Sequence, residues 1–212
     1  MRPRPRVYPA VKRAVDVAVA AGALALAAPV LAVVAVAVRR DLGGPVLFRQ
    51  VRPGRHGRVF ELVKFRTMHT TPDAGPANDE QRLTPLGRWL RSTSLDELPS
   101  LWNVLRGEMS LIGPRPLLVE YLAHYDAEQA RRHDVRPGMT GLAQVRGRNA
   151  LSWEDKFASD VEYVDHLGPT MDVRVALATV RTVLSRRDVS APGGAAENLF
   201  TGTTERTRQG AA

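Results

Sequence analysis

One uncharged apolar run near the N-terminus constrains this chain more than any other feature. Residues 17–38 are Ala, Val and Leu almost throughout, with only Gly22 and Pro29 intervening. At 1.5 Å per residue, a helix of roughly 22 residues is about 33 Å long, which matches a hydrocarbon core of about 30 Å. The run therefore predicts a membrane-embedded helix. The alternative is a buried, alanine-rich core helix.

The residues that flank this run, together with Pro29 inside it, indicate how the helix would lie in the membrane. Lys12 and Arg13 precede it, and Arg39 and Arg40 follow it, so the positive-inside rule favours neither orientation and agrees with both ends being cytoplasmic. Pro29 lacks a backbone donor and predicts a kink. Together these features indicate a re-entrant helical hairpin, although a kinked spanning helix fits the residues as well. A cleavable signal peptide is disfavoured because arginines follow the run where a small-residue cleavage site would lie.

The remainder of the chain predicts a helix-rich α+β fold. Two short strands separated by a turn-rich segment indicate a β-hairpin, and apolar spacing with capping residues predicts several helices. The strands are predicted at 45–50 and 59–66, and the helices at 85–91, 95–106, 117–133, 152–167 and 171–185. We divide the chain into a membrane helix (1–40), a catalytic domain (41–187) and a flexible tail (188–212). The tail has no apolar period, so we expect its removal to have little effect.

Composition narrows the class of function. The chain has 212 residues, enough for one domain, and its net charge of +8 calls for an anionic partner such as nucleic acid, phospholipid or a phosphate-bearing substrate. The absence of cysteine excludes disulfides, thiolate zinc sites and cysteine nucleophiles. The five histidines lack metal-ligand spacing, and no phosphate-binding glycine loop or nucleophile elbow is present.

The densest polar pattern lies between residues 88 and 116. Ser94 and Glu97 have the spacing of a capping box, and Asp96 and Glu97 would complement a helix dipole, so helix architecture alone explains both acids. The functional alternative depends on Arg91 and Arg115, because guanidinium groups bind phosphate in bidentate fashion. A carboxylate among such groups is suited to hold Mg²⁺ or to attack phosphorus. Lys64, Arg66, Arg146 and Arg148 are further basic positions on turns or strand ends.

Six ordered blocks carry a resemblance to a known family. The chain resembles the monotopic polyprenol-phosphate phosphoglycosyl transferases, or bacterial sugar transferases, in their minimal catalytic form, over about residues 8–186. The blocks are Lys12-Arg-Ala-Val-Asp16, Gly44-Pro-Val-Leu-Phe-Arg-Gln50, Lys64-Phe-Arg-Thr-Met68, Leu95-Asp-Glu-Leu-Pro-Ser-Leu-Trp-Asn-Val-Leu105, Met109-Ser-Leu-Ile-Gly-Pro-Arg-Pro116 and Arg136-Pro-Gly-Met-Thr-Gly-Leu-Ala-Gln-Val145.

This resemblance implies a mechanism. Asp96 would attack the β-phosphorus of a UDP-sugar, expel UMP and keep the phosphosugar until polyprenol phosphate accepts it. Glu97 would complete the catalytic dyad, and Asp96 and Glu97 would hold Mg²⁺ against the diphosphate. The matching blocks assign the phosphate-binding candidates Lys64, Arg91, Arg115 and Arg148.

The resemblance also implies a location. It predicts a membrane helix broken at Pro29, with Ala28 where small members of the family have serine, and a catalytic domain on the cytoplasmic face of the bacterial inner membrane. Expected partners are the UDP-sugar, polyprenol phosphate and membrane lipid, with no nucleic acid, and the resemblance admits a homo-oligomer. The step would be the first membrane step of exopolysaccharide, capsule or glycoconjugate synthesis.

Two other classes of protein share some of these features. A nucleic-acid-binding protein would explain the charge, but its basic residues would gather on one helix or stripe and it has no use for the apolar run. A membrane-anchored scaffold would explain the anchor and the charge but not the combination of Asp96, Glu97 and Arg115.

Overall fold

The longest element of the fold is the N-terminal helix. A computed structural model describes residues 7–70, 79–147, 150–185, Phe200 and Gly202. Helix α1 (Tyr8–Leu42) is 35 residues long and includes Pro29. It ends at Gly43, whose φ of 72° lies in the left-handed region that favours glycine. Arg66 stabilises this end by donating to three carbonyl oxygens, those of Leu42, Gly43 and Gly44.

Helix α1 packs against the rest of the domain through two apolar segments. Ala20 lies in one apolar cluster, with neighbours Phe60, Leu62, Leu101, Val104 and Met109. Val34 and Val38 lie in a second cluster, with Phe65 and Leu90. The opposite face of α1 is exposed, as at Leu26 and Val33. Among the described helices, α1 alone is long and apolar enough to cross a membrane.

Polar contacts fix the N-terminal part of α1. Asp16 is buried and accepts hydrogen bonds from Ser110 Oγ at 2.7 Å and from the next backbone N–H at 3.1 Å. Arg13 donates to two carbonyl oxygens of the helix that ends at residue 106. Lys12 Nζ lies 2.7 Å from Asp172 Oδ2. The first block of the sequence therefore attaches α1 to the domain.

The predicted β-hairpin is confirmed. Strand β1 (Leu47–Pro53) pairs antiparallel with β2 (Val59–Phe65) around a 3₁₀ turn at Arg55–Gly57. Side chains cover the second edge of β2: Ser100 Oγ donates to the Val63 carbonyl at 2.7 Å, and Asn103 Oδ1 accepts from the Val63 N–H at 3.1 Å. These bonds replace a third strand and fix the following helix against the hairpin.

Most of the predicted helices are confirmed. After the short α2 (Asp79–Arg82), helix α3 (Pro85–Ser92) begins at Thr84, which accepts a hydrogen bond from the Gly87 N–H at 2.9 Å. Helix α4 (Leu101–Arg106) follows a 3₁₀ helix (Leu95–Ser100). Further along, α6 (Leu142–Arg146) was not predicted, whereas α7 (Trp153–Asp165) and α8 (Pro169–Ser185) match predicted helices.

The single helix predicted over 117–133 is wrong. The segment forms a 3₁₀ helix (Val119–Ala123), the short helix α5 (Ala127–Ala130) and a second 3₁₀ helix (Arg131–Asp134). Asp126 is the reason, because its carboxylate accepts the N–H groups of residues 128 and 129 and so starts a new helix.

A short parallel strand pair was missed in the sequence. Strand β3 (Ser110–Ile112) pairs with β4 (Gly138–Thr140), which joins two of the sequence blocks. A Cβ atom on Gly138 would lie 2.1 Å from the Gly113 backbone nitrogen, so this close approach requires glycine. The pair positions the turn that carries Arg115.

Phe200 is an exception to the predicted flexible tail. Its side chain is only 6% exposed and packs among Tyr121, Trp153 and Phe157. Apart from Phe200 and Gly202, the predicted tail lies outside the described residues. The tail therefore contributes at least one core side chain.

Candidate active site

Asp96 and Glu97 lie on the 3₁₀ helix Leu95–Ser100, not at the start of an α-helix. Pro99 lies inside this 3₁₀ helix and lacks the N–H group that would bond to the Leu95 carbonyl in an α-helix. The capping-box interpretation is wrong: Ser94 adopts a left-handed conformation with a φ of 57°, and its side chain makes no capping hydrogen bond. Ser94 instead places a left-handed residue shortly before the two acids.

Glu97 is the centre of an ion-pair network. Its Oε1 atom lies 2.6 Å from Lys64 Nζ and 3.0 Å from Arg115 Nη2. Lys64 comes from β2, and Arg115 comes from the turn that follows β3. Three segments that are distant in sequence therefore meet at one carboxylate.

These charges determine the protonation state of Glu97. Burial acts to raise its pKa, but the charges of Arg115 and Lys64 and their hydrogen bonds outweigh burial and lower the pKa to about 2. The pKa of Lys64 is lowered, first by burial and then by repulsion from Arg115. Glu97 is therefore ionised at neutral pH and is already neutralised by its two partners.

Asp96 has the opposite environment. Its side chain is buried, with the residue only 8% exposed. Burial raises the pKa of Asp96, and the negative charge of Glu97 raises it further, against the opposing effects of Lys64, Arg91 and Arg115. The ionised carboxylate is thus poorly solvated and surrounded by cations, which suits a nucleophile or a ligand of a metal ion.

The structure distinguishes among the other predicted cations. Arg91 Nε donates to Thr67 Oγ1 at 3.1 Å, and its charge acts on Asp96. Arg66 caps α1, so its role is structural. Arg146 pairs with Glu162 at 2.5 and 2.7 Å. Arg148 lies outside the described residues.

A buried ion pair behind Arg115 was missed in the sequence. Arg132 and Asp160 are each 3% exposed, and two nitrogens of Arg132 lie 3.0 and 2.6 Å from Asp160 Oδ2. Arg132 Nη2 also donates to the Arg115 carbonyl at 2.7 Å. The pair thus supports the backbone of a site residue, but the two partners are 28 residues apart and no local pattern connects them.

The acidic residues fit a magnesium ion that is shared with a substrate. Among the described residues, no group of three or more His, Asp or Glu side chains is placed to hold a metal ion by itself. Mg²⁺ usually takes one or two carboxylates and completes its shell with phosphate oxygens and water. Asp96 and Glu97 supply two adjacent carboxylates, and a cation there would offset the repulsion that raises the pKa of Asp96.

Two adjacent carboxylates among cationic side chains, on a domain packed against a long apolar helix, are typical of a membrane-associated enzyme. The chain belongs to the bacterial sugar transferase family, whose sequence model matches residues 7–186.

Three curated relatives show the range of this similarity. The uncharacterized sugar transferase EpsL of Bacillus subtilis is 46% identical over 194 residues, which cover 91% of this chain and 96% of EpsL. The UDP-glucose:undecaprenyl-phosphate glucose-1-phosphate transferase of Caulobacter vibrioides is 42% identical, over 82% of this chain and 70% of that protein. The UDP-N-acetylgalactosamine-undecaprenyl-phosphate N-acetylgalactosaminephosphotransferase of Aeromonas hydrophila is 36% identical, over 84% of this chain and 45% of that protein.

Proposed function

We propose that this enzyme transfers a sugar 1-phosphate from a UDP-sugar to polyprenol phosphate, as the first membrane step of synthesis of a bacterial glycan. The observation that carries the proposal is the contrast between the two acids: Glu97 is neutralised by Lys64 and Arg115, whereas Asp96 beside it is buried and has a raised pKa. The names of the relatives from Caulobacter and Aeromonas support the substrate classes, because both proteins are named for transfer to undecaprenyl phosphate.

The proposed reaction has two steps. In the first, a carboxylate oxygen of Asp96 attacks the β-phosphorus, the bond between that phosphorus and the bridging oxygen breaks, and UMP leaves with the electron pair. In the second, an oxygen of polyprenol phosphate attacks the aspartyl phosphosugar, and the Asp96 carboxylate is released. Each step exchanges one bond to phosphorus, and the product is a polyprenol diphosphosugar.

The surrounding residues contribute orientation and charge. Lys64 and Arg115 hold Glu97 and present their remaining donors to the diphosphate, while Arg91 approaches Asp96 from α3. Arg148 remains a phosphate-binding candidate from the sequence. Asp96 and Glu97 would hold Mg²⁺, which supplies charge neutralisation at the diphosphate when bound.

The packing of α1 supports attachment to one face of the membrane. Its two packed segments are separated by only residues 25–30, about 9 Å of helix, whereas a spanning helix needs about 20 residues in hydrocarbon. Both flanks of α1 also contact the same domain. We therefore place α1 in one leaflet with both flanks on the cytoplasmic side. A break at Pro29 remains a prediction.

This placement is tested with single cysteines in the cysteine-free chain. Ala10→Cys and Asp41→Cys alter exposed positions on the two flanks. Both are expected to react with a membrane-impermeant thiol reagent in inverted vesicles and to be protected in intact cells. Opposite accessibility of the two positions would mean that α1 spans the membrane.

The covalent route is tested by mixing the enzyme with Mg²⁺ and UDP-glucose, UDP-galactose or UDP-N-acetylgalactosamine in the absence of acceptor. We expect up to one equivalent of UMP and a phosphosugar adduct on Asp96, found by intact mass and peptide mapping. Asp96→Asn should abolish both, with Glu97→Gln as the matched control that retains the nucleophile. An adduct on Glu97 contradicts the assignment. Turnover in the wild type without any adduct favours direct attack by polyprenol phosphate.

A further inference from the structure

A groove lies between the hairpin, α1 and α4, and residues of all three line it. It encloses about 340 Å³, and its apolar wall consists of Leu24, Leu47, Pro99 and Trp102, with Arg49 and Arg106 at its rim. We call it the Trp102 groove. Its volume is at the lower end of the range of about 300–1,000 Å³ for ligand sites, so it suits a part of a large ligand.

The apolar wall continues into the membrane helix. Leu24 belongs to the uncharged run of α1, and Trp102 is 54% exposed although it is the largest apolar side chain of α4. Exposed tryptophan is typical of the boundary between hydrocarbon and water, because the indole has an apolar ring and one donor. The groove therefore combines an apolar wall from the membrane-grade helix with a tryptophan of the kind found at membrane boundaries.

The rim of the groove favours an anion. Its lining contains two arginines, Arg49 and Arg106, against one glutamate, Glu61. Arg49 pairs with Glu61 at 2.9 Å, and Arg106 pairs with Glu108 at 3.2 Å, but both arginine side chains are more than half exposed. Ion pairs as exposed as these are weak. Either guanidinium can therefore guide a phosphate headgroup while its aliphatic stem lies on an apolar chain.

Pro99 connects the groove with Asp96. The two residues are three positions apart in a 3₁₀ helix, where side chains at i and i+3 share one face and are separated by about 6 Å along the axis. Glu97, with Lys64 and Arg115 bound to it, projects about 120° around the same helix. A ligand that passes Pro99 thus approaches Asp96 from a side different from that of Lys64 and Arg115.

We infer that the Trp102 groove binds the first isoprene units of polyprenol phosphate and directs its phosphate past Pro99 toward Asp96. This inference rests on the proposed function, since it supplies the acceptor site of that reaction. The chain would lie on Leu24, Leu47 and Trp102, and the arginines at the rim would draw the headgroup in from the membrane surface.

The test separates the two half-reactions of the full-length enzyme in nanodiscs of defined phospholipid. Trp102→Ala is expected to raise the KM for polyprenol phosphate about tenfold, because the indole supplies a large contact area. The UMP burst from UDP-sugar alone should stay unchanged. Trp102→Phe should retain most of the acceptor affinity. Trp89→Ala is the matched control, since Trp89 in α3 is 52% exposed and is not part of the groove.

The outcomes distinguish the groove from the proposed function. An unchanged acceptor KM in Trp102→Ala overturns the groove assignment, as does an equal rise in Trp89→Ala, which would indicate general membrane attachment. Weaker binding of Trp102→Ala to vesicles without acceptor, at an unchanged acceptor KM, would identify an ordinary phospholipid as the occupant and also overturns the assignment. A wild-type enzyme that lacks the burst but still turns over refutes only the covalent route.

Discussion

Asp160→Asn should lower the stability of the folded protein, because it breaks the buried ion pair with Arg132. The substitution leaves the Arg132 cation at 3% exposure without its counterion, although the new amide oxygen retains one acceptor. Removal of one partner from a buried pair costs about 3–5 kcal/mol, and the retained acceptor points to the lower value, about 3 kcal/mol. For a chain of this length, that corresponds to a fall in melting temperature of about 6–12 °C.

The assay is thermal unfolding in detergent, followed by tryptophan fluorescence, together with turnover measured well below the melting temperature. We expect turnover to fall as well, because Arg132 also holds the Arg115 carbonyl at 2.7 Å. The matched control is the double variant Arg132→Met/Asp160→Leu, which removes both charges. It should recover much of the stability but not the turnover, since the support of Arg115 is still missing.

Two results would refute this reasoning. A destabilisation below about 1 kcal/mol in Asp160→Asn would mean that water or another group solvates Arg132. Full turnover in the double variant would mean that Arg115 does not depend on Arg132 for its position.

Other predictions follow from the site, the tail and the docking of α1. Asp96→Asn should raise the melting temperature at pH 7 with chelator present, because the raised pKa of Asp96 means that its ionised carboxylate opposes folding. This gain in melting temperature should vanish as the pH falls below the ordinary Asp pKa of 3.8, where the carboxyl group is protonated in both states. A gain that persists at such a pH would contradict the raised pKa. Phe200→Ala should lower the free energy of unfolding by about 3 kcal/mol, measured by denaturant titration. Truncation after residue 187 should lower it at least as much, and a harmless truncation would contradict the packing role of Phe200 and agree with the flexible-tail prediction. Asp16→Asn should lower the free energy of unfolding by about 1–3 kcal/mol, because the amide cannot accept both hydrogen bonds equally well. Ser110→Ala is the comparison variant. An unchanged melting temperature in both variants would show that α1 docks through apolar contacts alone.

Local patterns in the sequence predicted the elements whose signals lie within a few residues. The hairpin and α3 carry turn residues, alternation or a cap that can be recognised without tertiary information. The helix predicted over 117–133 was wrong because an apolar spacing persists through Asp126, whose side chain competes for the backbone. The three-residue strands β3 and β4 are too short to show alternation, and they pair only because glycine permits the close approach.

The clustering of Lys64 and Arg115 at Glu97 was predictable as a set of residues but not as a geometry. The arginines near Asp96 and Glu97 suggested phosphate chemistry, and Lys64 and Arg115 do meet Glu97. The different environments of Asp96 and Glu97 could not be foreseen from the sequence. They depend on burial in the tertiary structure and on the 3₁₀ helix Leu95–Ser100. The Arg132–Asp160 pair joins residues whose proximity is created only by the packing of α7 against the segment at 131–134.

The contacts of Asp172 determine the order in which this protein can mature during synthesis. Its carboxylate binds Tyr8 and Lys12, which leave the ribosome about 160 residues earlier. At a translation rate of roughly 5–20 residues per second, Asp172 is synthesised about 10–30 s after Tyr8 and Lys12. This interval is long enough for α1 to reach the membrane before Tyr8 and Lys12 bind Asp172. We therefore expect insertion to precede docking, so that the domain folds onto a helix that already lies in lipid. A ribosome-bound chain stalled before residue 172 should hold α1 in the membrane and still lack the assembled site.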